Sequence, residues 1–133
     1  LIIAYAICFL LTLLLAMLTD WMVVEVPPVE LTLQVMVPAL FTGILCFMLS
    51  TFIRNGNGTA VMIIIIGMLL FVLHKVLGIS KWNLFLNPFD VPLDKNPRIF
   101  YNTVFDNRLL ILCATLVCLL TGLYKTQNRE KFI

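Results

Sequence analysis

Four long apolar runs alternate with short polar stretches along this chain. The first, residues 1–19 ("LIIAYAICFLLTLLLAMLT"), carries no charge. The second covers residues 31–53, between Glu30 and Arg54. The third, residues 59–77, stays uncharged until His74 and Lys75, and the fourth covers residues 109–124, between Arg108 and Lys125. A helix needs about 20 predominantly apolar residues to cross a hydrocarbon core about 30 Å thick. The first three runs meet that length directly. The fourth is short, but Arg108 and Lys125 can reach to either interface and lengthen it. Barrel strands would alternate apolar and polar residues, whereas "MIIIIGMLLFVL" is apolar on every face. The pattern predicts an all-α, polytopic transmembrane helix bundle of four spans, a single transmembrane domain over residues 1–133.

One interval breaks the pattern. Residues 82–108, "WNLFLNPFDVPLDKNPRIFYNTVFDNR", combine charges, prolines and a crowd of rings. Trp82, Phe85, Phe89, Phe100, Tyr101 and Phe105 suit a membrane interface, where amphipathic rings sit at headgroup depth. Pro88, Pro92 and Pro97 exclude one long helix over the whole interval. In its second half, Ile99, Phe100, Val104 and Phe105 recur at helical spacing, with Arg98, Asn102 and Asp106 elsewhere on the wheel. That predicts a short amphipathic helix lying on or dipping into the boundary before the last span. The plainer alternative is a passive connecting loop.

The links set the orientation. Residues 20–30 hold three acids and no Lys or Arg. The "RNGNG" link is expected to turn tightly, because Gly and Asn accept positive φ cheaply, and its shortness makes the second and third spans an antiparallel hairpin. Asn57-Gly58-Thr59 matches a glycosylation acceptor but abuts a span, so it reads as part of the turn. Arg54, Lys125, Arg129 and Lys131 crowd into this link and the tail, 125–133. Lys75, Lys81, Lys95, Arg98 and Arg108 spread over the other side. Basic density beside the spans predicts both termini in the cytoplasm and residues 82–108 on the outer face.

Composition agrees. Hydrophobic residues make up 62% of the chain and charged ones 12%, against roughly half and about a quarter in soluble domains. A soluble chain of 133 residues lacks the interior to hide so much apolar surface. Net charge is +2, with no basic surface to argue for nucleic acid. Leu1 opens inside an apolar run, so the sequence is expected to be a portion of a longer protein.

Chemistry is sparse. Cys8, Cys46, Cys113 and Cys118 lie in apolar runs without a C-x-x-C pair, and read as buried thiols that pack as small hydrophobes. His74 is the single histidine. No catalytic set, metal-ligand cluster or nucleotide-binding fingerprint is visible, so no catalytic, cofactor-binding or metal-binding residue is assigned. The middles of the spans hold no charge, which argues against a proton relay. Thr32, Gln34, Thr42, Ser50 and Thr51 of the second span would line a wet path or, more commonly, hydrogen-bond between helices. Pro38 lies near the start of that span, and Gly43, Gly67 and Gly122 offer close helix approach.

Taken in order, the spans, the tight "IRNGNGTAVM" link, the broken segment "FLNPFDVPLDKNPRIFYNTVFDNR" and the basic "NREKFI" tail resemble the C-terminal part of ABC type-2 exporter permeases. The "LNPF" and "REKF" runs look most like bacterial members of the Bacteroidetes type, and the resemblance extends over essentially the whole chain. It implies that these four spans correspond to the third to sixth of the family's six, in a bacterial cytoplasmic (inner) membrane. It implies an outer gate over the translocation path, with Phe85, Phe89, Phe100, Tyr101 and Phe105 as candidates. Arg54, Asn55 and Gly56 would lie near a separate ATP-binding subunit, and a second permease copy, identical or not, would complete the path. No enzyme activity and no cofactor is then expected in this chain. The rivals are a non-transporting structural subunit of a membrane complex and, further off, a membrane enzyme acting on lipids.

Overall fold

The computed structural model describes residues 2–22, 27–93 and 96–130, with side chains to residue 128. Glu25, Asp94, Lys95 and Lys131 of the charge pattern lie outside the described residues, as do the side chains of Arg129 and Glu130. Four helices follow in order: α1 (Ile2–Met22), α2 (Pro28–Ile53), α3 (Gly56–Leu77) and α4 (Pro97–Glu130). No strand occurs among the described residues. All four helices are long and apolar enough to cross a membrane. The chain is therefore a multi-pass membrane protein.

The surface makes the same point. Ile64, Leu69, Val72 and Val76 of α3 are all more than half exposed, Val76 at 78%. Apolar patches of this extent are not left in water by a monomeric soluble protein. They are solvated by lipid or covered by another apolar chain. Cys8 and Cys113 share this exposed surface, so the buried setting expected for the thiols is wrong for these two. Each stands on a helix face that its own chain leaves uncovered.

By its contacts the chain divides into two compact units, Leu1–Leu40 and Phe41–Ile133. In the first, α1 meets the opening turns of α2, and the Tyr5 hydroxyl donates to the Met36 carbonyl at 3.0 Å. Helix α2 begins at Pro28, earlier than the apolar run suggested, because a proline is tolerated at a first helical position. Leu31 N–H bonds to Pro27 O at 3.1 Å, and Glu30 places its charge in the first turn, where the helix dipole favours it. This earlier start leaves Pro38 inside the helix instead of near its beginning.

The second unit holds the rest of α2, all of α3, and α4. Only Arg54 and Asn55 separate α2 from α3. The positive φ falls on Arg54, at 57°, and not on the Gly or Asn residues expected to carry it. Asn55 is extended and caps α3, accepting from Asn57 N–H through its side chain, so Gly56 and Gly58 are drawn into the helix. Phe41 and Leu45 of α2 share a cavity with Leu70 and Ile66 of α3, consistent with an antiparallel hairpin.

Helix α4 runs parallel to α2, with partners at a constant offset. The Thr121 hydroxyl meets Met48 Sδ at 3.1 Å, and Lys125 Nζ lies 5.5 Å from the centre of the Phe52 ring. The amphipathic stretch expected over residues 97–108 is helical, but it is not a separate element. It continues into the last span because no Pro or Gly interrupts the sequence between Pro97 and Gly122. At 1.5 Å per residue, these 34 residues extend about 51 Å, well beyond a hydrocarbon core.

Of the three glycines singled out in the spans, only Gly122 marks a close approach. A Cβ there would stand 2.8 Å from Phe47 Cε1 and 3.5 Å from Met48 Cα, while Gly43 and Gly67 face open space. The hydroxyls of α2 also differ from expectation. Thr32, Ser50 and Thr51 bond to carbonyls of their own helix, at Pro28, Phe47 and Met48. A main-chain carbonyl one turn back is nearer to a short hydroxyl side chain than any neighbouring helix.

The Gly122 contact is directly testable. Gly122→Ala should destabilise the α2–α4 pair by about 1–3 kcal/mol, read as a lower unfolding temperature in detergent. Gly122→Ala combined with Phe47→Leu should recover most of the loss, since the ring is what the new methyl meets.

Candidate functional site

Between α3 and α4, the described residues 78–93 and 96 form no regular helix, and this is where the side-chain chemistry gathers. The chain leaves α3 at Gly78, whose φ of 51° favours glycine and whose N–H bonds to His74 O at 3.1 Å. Three asparagines then shape the backbone. Asn83, Asn87 and Asn96 each accept the N–H two residues ahead, from Phe85, Phe89 and Arg98, all at 3.1 Å. A short amide side chain that mimics a backbone turn does this readily. In the Asn87-Pro88 and Asn96-Pro97 pairs, proline adds its fixed φ. Asn96 is also the cap of α4, with Pro97 as the first helical residue.

Asn83 and Asn107 form the centre, at 1% and 0% exposure. Asn83 Nδ2 donates to Gly78 O at 2.6 Å, which leaves its Oδ1 as an acceptor. His74 Nδ1 lies 3.0 Å from that oxygen and donates to it. Asn107, from α4, spends both amide protons on main-chain carbonyls of the segment, Lys81 O at 2.8 Å and Asn83 O at 2.9 Å. These partners are acceptors only, so the amide has one possible orientation. Its Oδ1 is buried without a hydrogen-bond partner among the described residues. The next residue, Arg108, is half-buried and donates through a guanidinium nitrogen to Leu86 O at 3.2 Å. Two consecutive residues of α4 thus hold three carbonyls of the irregular segment.

A small apolar core lies beneath the polar centre. Phe100, Val104 and Leu86 are buried together, with Val91 packed against them. On α4 the covered stripe runs Phe100, Val104, Asn107, Ile111 and Thr115, at steps of three and four residues. A cavity of about 510 Å³ opens beside it, edged by His74, Lys75, Asn87 and Asp90.

The structure does not gather the five candidate gate rings into one cluster. Phe100 is buried, because it stands on the face of α4 turned toward Leu86. Phe85 is half exposed and lies edge-on to Phe71 and His74, at centroid distances of 6.5 and 6.0 Å. Tyr101 touches Phe100 edge-on at 6.0 Å, and its own ring is exposed. Phe89 and Phe105 are exposed too, Phe105 at 67% on the opposite side of α4 from Phe100. At the other end of this unit, Arg54, Asn55 and Gly56 are exposed at the hairpin tip. The residues missed in the sequence are Asn83 and Asn107. Asn107 had a visible signal, because it falls seven residues after Phe100 on the same helical face.

Comparison with protein-family models, with curated proteins and with solved structures finds no match for this chain.

Replacing Asn107 tests the centre. Asn107→Asp keeps the shape but, as a carboxylate, cannot donate, and should cost at least roughly 1–3 kcal/mol because Lys81 O and Asn83 O both lose their donor. Thermal unfolding in detergent should show the drop for Asn107→Asp, and a smaller one for Asn87→Asp, whose acceptor role a carboxylate can retain.

Proposed function

We propose that this chain is the membrane-embedded C-terminal part of an ABC exporter permease in a bacterial inner membrane. A second permease copy would complete the translocation path, and separate ATP-binding subunits would drive it. The observation that carries the reading is the anchored segment 78–93, fixed between the end of α3 and α4, with the Arg54 hairpin tip at the far end of α3. A membrane transporter needs a closure at one face and a site for force at the other. The exposed tip Arg54–Asn55–Gly56 suits contact with an ATPase, and Lys125, stacked on Phe52, supplies further positive charge at that end. Both termini are then cytoplasmic and the asparagine-held segment faces outward.

The segment is tied down by buried groups, so in this mechanism it moves with the opening of α4 and does not peel away from it. ATP binding by the partner would shift the hairpin tip. The long, uninterrupted α4 would carry the displacement to the cover at the opposite face.

Two measurements test this. Mild-detergent purification from the native membrane should recover a stoichiometric subunit with a Walker A motif. Partners lacking any ATPase would instead indicate a scaffold. In an export assay, Phe100→Ala should lower transport strongly, because truncating a buried ring costs about 3–5 kcal/mol. Phe105→Ala, on the exposed face, should stay near wild type. Equal, negligible effects of both would count against the cover as a gate.

A further inference from the structure

A second cavity, of about 280 Å³, is walled by Phe41 and Leu45 of α2, Ile66 and Leu70 of α3, and Ile111 and Ala114 of α4. Along α4 it extends from Asn107 to Ala114, about 10 Å at 1.5 Å per residue. At the end nearest the irregular segment stand Lys81 and Trp82, both exposed, with the Lys81 ammonium 5.9 Å from the centre of the Trp82 ring. The space is about twice the engineered cavity of roughly 150 Å³ that takes up benzene. Polar groups stand only at the Asn107–Lys81 end, where a water could meet Asn107 Oδ1; beyond it the side chains of Phe41, Leu45, Ile66, Leu70, Ile111 and Ala114 offer none of the two to four polar partners that water needs.

The chain is solvated by lipid, so an acyl chain is the apolar molecule at hand. We propose that this cavity holds one acyl chain of an anionic phospholipid, with its headgroup against the Lys81 ammonium and beside the Trp82 ring. The two ends of the site carry the two halves of that chemistry. Apolar walls about 10 Å long fit part of a hydrocarbon tail, and a lysine beside an indole at the membrane boundary fits a phosphate that no positive headgroup neutralises. Asn107 serves the site indirectly. By holding Lys81 O and Asn83 O, it fixes the backbone from which Lys81 and Trp82 project. The inference rests on the membrane-spanning fold and is independent of transport.

The test uses Trp82 as reporter, in protein carrying Trp21→Phe so that one of the two tryptophans remains. The protein is reconstituted into phosphatidylcholine vesicles containing an equal low fraction of chain-brominated phosphatidylglycerol or chain-brominated phosphatidylcholine. Brominated phosphatidylglycerol should compete into the site with about fivefold preference, the attraction expected of one basic side chain near an anionic lipid. Trp82 emission should then be quenched more strongly by it. Lys81→Gln, at an exposed position, should remove the difference without affecting folding. Ala114→Phe should lower the quenching by filling the tail site, with circular dichroism confirming that the helices persist. Equal quenching by the two lipids, unaltered by Lys81→Gln, would overturn the proposal. So would quenching that survives Ala114→Phe in folded protein, or a Trp82 environment that depends on protein density in the vesicle and not on the brominated lipid, which would put a second copy there.

Discussion

Backbone polar groups cannot be left bare in hydrocarbon, and that constraint orders this molecule. Each unsatisfied N–H or carbonyl costs several kcal/mol there. Four helices meet the constraint internally over most of the chain. Among the described residues, the longest exception is residues 78–93, which leave the helical ladder beside the membrane-spanning elements. Their carbonyls are met by side chains: Asn83 on Gly78, Asn107 on Lys81 and on Asn83 itself, and Arg108 on Leu86. Without these groups the segment would need continuous water or a different fold.

A second consequence concerns rigidity. Asn107 and Arg108, which hold three of these carbonyls, belong to α4, and α4 is unbroken from Pro97 to Glu130. Its far portion is locked to α2 by the close approach at Gly122 and by the Met48–Thr121 and Phe52–Lys125 contacts. The cover and the hairpin end are therefore joined by one stiff element with contacts at both ends. Packed interfaces tend to shift between discrete arrangements instead of deforming continuously. In the proposed exporter, that stiffness is what allows a force applied at one face to be felt at the other.

Much of the architecture was legible in the sequence, because uncharged runs of span length admit few structures. The helical character of residues 97–108 was also visible in the spacing of Phe100 and Val104. What stayed hidden depended on contacts between distant positions. Phe100 and Phe105 are both aromatic and close in sequence, yet one is buried against Leu86 and the other exposed, and composition treats them alike. The polar centre was missed because asparagine reads as a loop residue, while Asn83 and Asn107 act as a pair from elements 24 positions apart. The hairpin turn was misjudged in detail, since Asn55 works better as a helix cap than as a left-handed residue and so passes the positive φ to Arg54.

The central claim is that α3 crosses a bilayer, with residues 78–93 on one face and the α2–α3 tip on the other. The most direct test is labelling of single cysteines in a cysteine-free background with a membrane-impermeant maleimide, at Asp90→Cys and at Asn57→Cys, in intact and in permeabilised cells. The account predicts that Asp90→Cys reacts in intact cells and Asn57→Cys only after permeabilisation. Reaction of both from the same side would contradict it.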